Sequence, residues 1–238
     1  MRFSPSTLRR DERGITGLET AIILISFVVV ASIFAFTILS SGVYAAERSK
    51  QSIFSGLQDT RSSITPKGSA RGYRGFVGTT ETVFQVSFTV ANAVDGEPVD
   101  LTPPYTKDGS GTDPDVSAGA EYVTVLSYWD ENQYLPDVPW TVDFIGFNNG
   151  DTLLEVGEAA EITVWLLDRN TAVSAATSSS VSYMDGTANG GGKGGITATD
   201  TLLVKNRKFR IEMKPSRGAI VSIERKIPPS LRTVMDLR

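Results

Sequence analysis

From Thr20 to Ala46 the chain carries no charged residue and no proline, and this run constrains everything around it. A helix needs ~20 apolar residues to cross the hydrocarbon of a bilayer, so the segment is long enough to be held in lipid. Many of its residues are β-branched, among them Ile22, Ile23, Ile25, Val28, Val29 and Val30. Such residues are modest helix formers in water but are accommodated in lipid, where backbone groups must bond within the segment. Because the run is apolar on every side, it must be covered on every side, by lipid or by copies of itself. Beyond Gly42 the pattern changes: Val43, Ala46, Ile53 and Leu57 recur at helical spacing, while Glu47, Arg48, Lys50, Gln51 and Asp59 mark a polar face. One helix is therefore predicted over 15–65, on the order of 70 Å long, more than twice the ~30 Å of hydrocarbon. A bend is expected at the small residues Ser40-Ser41-Gly42.

The junction ahead of this helix, Arg9-Arg10-Asp11-Glu12-Arg13-Gly14, is short and charged and ends in glycine. A secretory signal is cut after its apolar core, whereas a cut at Gly14 would leave the apolar helix on the mature protein. Arg13, Gly14, Ile15 and Glu19 together resemble the class III signal peptide of type IV pilins and archaeal flagellins (archaellins). The resemblance implies a leader over 1–14, a dedicated prepilin-type signal peptidase, Ile15 as the new N-terminus and Glu19 as the fifth residue. An uncleaved anchor flanked by Arg9, Arg10 and Arg13 has the same hydropathy. Glu19 has two readings. Thr16-Gly17-Leu18-Glu19 fits the capping box, in which threonine caps the helix and glutamate reaches back to its N–H. Alternatively, Glu19 pairs with the α-amino group of Ile15, in its own chain or a neighbour's, because an isolated charge in lipid is costly.

Neither cysteine nor histidine is present, which excludes disulfides, thiolate metal sites and His- or Cys-based nucleophile arrangements. The net charge of -4 is mild and gives no footprint for nucleic acid. Removing the leader leaves 238 − 14 = 224 residues, enough for the helix and one domain of ~170 residues.

Pro66-Lys67-Gly68 is expected to end the helix, with a linker running to Thr80. From Thr82 to Val90 the period is two: Phe84, Val86, Phe88 and Val90 form one face, Gln85, Ser87 and Thr89 the other. Further strands are predicted at Tyr122–Trp129, Trp140–Phe147, Glu161–Leu167, Leu202–Lys205, Lys208–Met213 and Ala219–Arg225. With no second helical pattern, the fold class is α+β: a long N-terminal helix, then an antiparallel β-sandwich or barrel over 66–238. Pro103–Ala118 and Ser174–Thr199 read as exposed, mobile loops.

Chemical motifs are weak. In GGGKGG, Thr187 stands where a phosphate loop needs its first glycine and Gly194 replaces the hydroxyl residue that would hold magnesium. Asp108, Asp113 and Asp115 could offer oxygens to calcium, but miss the EF-hand spacing, and a solvated turn is the plainer reading. Trp129, Trp140 and Trp165 are expected in the core. Glu155 and Glu158 flank a turn without the asymmetry that acid-base catalysis needs. No enzyme site and no cofactor is predicted.

Two further stretches resemble archaellins: Leu153-Leu154 followed by Gly157-Glu158, and the C-terminal run from Phe209 through Lys214-Pro215, Gly218-Ala219, Glu224-Arg225 and Pro228-Pro229 to Asp236-Leu237. The resemblance implies a subunit of an extracellular swimming filament, self-assembling as a helical homopolymer. It further implies a membrane-held precursor, a membrane platform and a cytoplasmic ATPase. Glu19, Ile22, Ile25, Val29 and Phe34 are the expected assembly residues. An adhesive type IV-like pilin, or a membrane-tethered β-domain that binds a partner, are the alternatives. N-linked sugar is unsupported, since Asn170-Thr171-Ala172 fails the sequon at its third position, and Ser178-Ser179-Ser180 offers hydroxyls for O-linked sugar without any motif that calls for it.

Overall fold

The computed structural model describes residues 13–93, 96–107, 114–116, 121–169, 180–184 and 194–237, without the side chains of 13–15, 107 and 114–116. The chain divides into two compact units, Met1–Ser55 and Gly56–Arg238.

The described residues of the first unit are helix. The helix α1 runs unbroken over Arg13–Arg61, straight through Ser40-Ser41-Gly42 in hydrogen-bonding terms, so no interruption occurs where a bend was expected. It begins upstream of Thr16, which is therefore an interior residue, and the capping-box reading of Thr16 and Glu19 does not describe this helix start. Three hydroxyls within the apolar run turn back on the helix. Thr20 Oγ1 donates to the Thr16 carbonyl at 2.6 Å, Ser32 Oγ to Val29 at 2.8 Å and Thr37 Oγ1 to Ile33 at 2.8 Å. Each of these three hydroxyls is thus satisfied without water. Further along, Arg48 lies over the Tyr44 ring and Lys50 over Phe54, so these cations cover apolar surface with their own stems.

The second unit is an antiparallel sandwich. Its strands are β1 Ile64–Val77, β2 Thr80–Asn92, β3 Val99–Asp100, β4 Tyr105–Lys107, β5 Pro114–Val116, β6 Val125–Asp130, β7 Tyr134–Leu135, β8 Trp140–Ile145, β9 Leu153–Leu154, β10 Ala159–Trp165, β11 Asp168–Arg169, β12 Val181–Ser182, β13 Lys208–Lys214, β14 Val221–Lys226 and β15 Val234–Leu237. A five-stranded sheet has the order β15-β1-β2-β10-β8 and a four-stranded sheet the order β14-β13-β6-β7. Their facing side chains make one core, in which Phe84, Val86 and Ile162 from the first sheet share a cluster with Leu126, Tyr128, Phe209 and Ile211 from the second.

Several expectations are corrected. The segment after the helix is no linker: the helix ends at Arg61 and β1 starts at Ile64. Its glycines serve close packing. A Cβ on Gly75 would lie 2.7 Å from Val181 Cγ1, and one on Gly72 would lie 3.1 Å from Leu237 Cδ1. Leu202–Lys205 is no strand; Leu202 and Leu203 are buried, but Leu203 offers only its carbonyl, to Val83 N and to Thr82 Oγ1. Trp140 and Trp165 are buried as expected, whereas Trp129 is half exposed and stacks edge-on against Tyr134 on the outer face of its sheet. The second long loop is partly core: Ser180, Val181, Met184 and Ile196 are buried, and Ser180 Oγ accepts the Phe76 N–H, which removes it as a sugar acceptor. Ser178, Ser179, Asp108 and Asp113 lie outside the described residues.

The hairpin joining β13 to β14 through Pro215-Ser216-Arg217-Gly218 forms as expected. It also does something the sequence did not reveal, because it grips the end of the helix. Gly218, at φ +95°, and Gly96 from the β2–β3 loop approach the last carbonyls so closely that a Cβ would lie 2.2 Å from Ser62 O and 2.1 Å from Arg61 O, respectively. Gln58 Nε2 donates to Glu97 at 2.8 Å, and Arg217 sits 3.8 Å from the same carboxylate. Ala93 N–H closes on the Ser63 carbonyl at 2.8 Å.

Candidate assembly surface

The helix presents a surface that a single copy leaves uncovered. Leu18, Ile22, Ile23, Leu24, Ile25, Phe27 and every larger apolar side chain onward to Leu39 are at least half exposed. None of the most apolar window is buried, at a mean hydropathy of 2.9. Monomeric soluble proteins rarely expose more than a few hundred Å² of contiguous apolar surface, so this helix is built to be covered by something else.

The expected assembly residues fall on this surface. Ile22, Ile25, Val29 and Phe34 are 56%, 63%, 50% and 64% exposed, and Glu19 is exposed one turn before Ile22. At ~100° per residue, Ile22, Ile25 and Val29 fall within ~60° of one another, while Phe34 projects ~140° away from Val29. One neighbour cannot cover both directions, so the surface calls for several. Arg13, Gly14 and Ile15 have helical backbone and occupy the first turn, where N–H groups lack intrahelical partners.

On the β-unit, the polar constellations are structural. Glu158, almost fully buried, accepts the Glu155 N–H at 3.0 Å and so ties the turn it flanks. Asn148, Asn149 and Asp151 turn on their own backbone, Asp151 Oδ1 accepting the Leu153 N–H at 2.9 Å. Tyr122 OH donates to Asp137 at 2.6 Å, and that bond, with burial and the carboxylate charge, pushes the phenol up to about 12. Tyr128 is raised by burial and by Asp130, to which it donates at 2.7 Å. Among the described residues no three acidic side chains gather as metal ligands would.

A sequence profile described as archaeal-type flagellin matches residues 14–225. Two proteins of Archaeoglobus fulgidus are similar along their length. "Probable flagellin 1" is 30% identical, covering 96% of this chain and 96% of that one, and "Probable flagellin 2" is 31% identical, covering 97% of each. Among solved structures, a chain from the archaeal flagellum of Methanospirillum hungatei shares the fold, with a TM-score of 0.56 at 20% identity, over 93% of this chain and 98% of that one.

Proposed function

The chain belongs to the archaeal-type flagellin family, and from that premise we propose how it is processed, held and assembled. It is a structural subunit of an extracellular filament, the archaeal flagellum, and not an enzyme. A prepilin-type peptidase cuts between Gly14 and Ile15. The leader 1–14 is removed, and the helix from Ile15 stays in the membrane until a platform and its ATPase move the subunit into the filament. There the helix is covered by other copies of itself, while the β-unit, over 66–238 as read from the sequence and from Gly56 by contacts, faces outward.

The uncovered apolar helix carries this reading. Its 14 large side chains from Leu18 to Leu39 are worth ~1.5–3 kcal/mol each on full burial, so release into water would cost on the order of 20–40 kcal/mol. Lipid is the one rival environment, and the hydroxyls closed onto their own carbonyls suit both equally. Leaving lipid therefore needs outside work, which an ATPase supplies.

Filaments sheared from producing cells, imaged by electron microscopy and sequenced from the N-terminus, test this. Subunits are expected to begin at Ile15, and Gly14→Trp is expected to leave the chain in the membrane with its leader attached. Mature Ile15 ends in that variant would refute the processing step; cells that process the chain yet bear no filament would refute the assembly.

A further inference from the structure

The net charge of -4 conceals a segregation of charge along the chain. Residues 81–168 carry 17 acidic side chains and one basic; residues 61–80 carry four basic and none acidic; residues 205–238 carry ten basic and three acidic. The topology turns this into two edges. β15 and β1 form one side of the five-stranded sheet, β10 and β8 the other; β14 and β13 form one side of the four-stranded sheet, β6 and β7 the other. The like-charged sides coincide, because β1 touches β14, residues 227–233 lead from β14 into β15, and residues 136–139 lead from β7 into β8.

Some of this charge is spent inside the chain, in Arg71–Glu161 at 2.7 Å, Arg74–Glu81 at 3.2 Å and Arg210–Glu224 at 2.9 Å. Lys67, Lys226 and Arg232 are exposed on the basic edge and enter no ion pair among the described residues. Lys226 faces Lys208 directly across the β13–β14 ladder, a like-charge pair that is unfavourable in itself and is eased in part by the nearby Glu224 carboxylate. On the acidic edge, the outer strand β8 and the turn after it expose Asp143, which also has an interaction within its own chain, and Asp151, whose Oδ1 accepts the Leu153 N–H, around Ile145 and Phe147, the latter 85% exposed. The opposite outer strand, β15, exposes Val234 beside Arg232. Each edge thus pairs an apolar centre with a rim in which one sign is in excess, basic on the β14–β15 side despite the exposed Glu224 and Asp236, acidic on the β8 side.

We propose that the β14–β15 edge of one subunit seats against the β8 edge of a second copy, with Lys226 and Arg232 facing the neighbour's Asp143 and Asp151 around Phe147. Such a contact joins two different patches, so it is head-to-tail and propagates along a helical array instead of closing a dimer. It rests on the filament reading. Because the chain has no cysteine, the four double variants that combine Lys226→Cys or Arg232→Cys with Asp143→Cys or Asp151→Cys can be treated, as filaments, with a short bismaleimide. At least one double variant is expected to give a ladder of trimers and longer species, with every single variant remaining monomeric. The Lys226→Glu/Arg232→Glu variant is expected to lower filament yield at least tenfold, with recovery on adding Asp143→Lys/Asp151→Lys. Intact filaments that give no ladder in any double variant, or single variants that cross-link to dimers, would overturn the contact. Cells without any filament from the unmodified chain would instead refute the filament reading. Should a reversed variant lose its fold, read from the fluorescence of buried Trp140 and Trp165, the ladder decides alone.

Discussion

Replacing Gly218 by alanine should destabilise the β-unit more than its small volume suggests. Gly218 sits at φ +95°, a left-handed conformation that costs an L-residue ~1–2 kcal/mol. Its new Cβ would also fall 2.2 Å from Ser62 O and 2.8 Å from Ser62 C. Both are backbone atoms of the segment leaving the helix, and no flexible side chain can yield. Overpacking of this kind costs ~1–3 kcal/mol, for a total of about 3 kcal/mol. For a domain of this size that lowers Tm by roughly 6–12 °C. Gly150→Ala is the control: its φ is +98° but nothing lies within 4 Å of the added Cβ, so only the backbone term of ~1–2 kcal/mol, roughly 2–8 °C, is expected. Full-length protein in detergent micelles can be melted while following tryptophan fluorescence, since Trp140 and Trp165 are both buried in the sandwich. Equal shifts for the two variants would show that the hairpin does not grip the helix end, and the reasoning would fail.

Val29→Lys should abolish filaments while leaving that melting transition unchanged, because the Val29 side chain is half exposed on the helix and lies outside the β-unit whose tryptophans report the melt; filaments at normal yield would sink the helix-core assignment. Glu19→Gln should impair assembly more than Thr16→Ala, because an amine at Ile15 left without its carboxylate partner costs ~3–5 kcal/mol in a dry core. Filament yield from protein whose cleavage is confirmed by mass decides between them, and equal yields would return Glu19 to a role in which its charge is dispensable. Tyr122 gives a pH prediction. Its folded pKa of about 12 exceeds the ordinary 10.0, so its contribution is fully present below pH 10 and is lost as pH rises through 12. Tyr122→Phe should flatten that part of the alkaline unfolding curve, and an unchanged curve would assign the loss to another group.

The parts legible in sequence were those where one pattern had one physical meaning. The apolar run could only be a helix covered on all sides, and the alternation at Phe84, Val86 and Phe88 read as a strand, which β2 is, although as the central strand it also buries Val83 and Ser87 on its other face. Glycine misled because it has two uses. In β1, Gly72 and Gly75 admit Leu237, Val181 and Phe84 against the backbone, yet next to Pro66 they read as a flexible connection. Trp129 misled because an alternating strand does not say which of its faces is inside when the outer face also holds an aromatic partner, here Tyr134. β15 pairs with β1 at only four positions, too few for a periodicity to register. The grip of Gly96 and Gly218 on the helix end joins residues more than 30 and 150 positions from their targets, and no local pattern records it.

The two units divide the work of assembly between two kinds of force. The β-unit buries its own core, with Val86, Tyr128, Trp140 and Ile211 inaccessible in a single copy, so beyond the few exposed apolar residues at its edges it has far less to gain from a neighbour's cover than the helix has. The helix is the reverse, unbroken in its backbone and bare in its side chains. Apolar burial is strong but non-directional, and a helix apolar on all sides accepts neighbours at many rotations and heights. It therefore decides whether subunits associate and leaves their register open. Charge is weaker at a surface but sensitive to position, and like charges set opposite one another are penalised. Placing acidic strands at one edge and basic strands at the other gives each subunit a front and a back, which a helix alone does not supply. The helix is thus the source of affinity and the edges of the β-unit the source of geometry, and a change in one need not change the other.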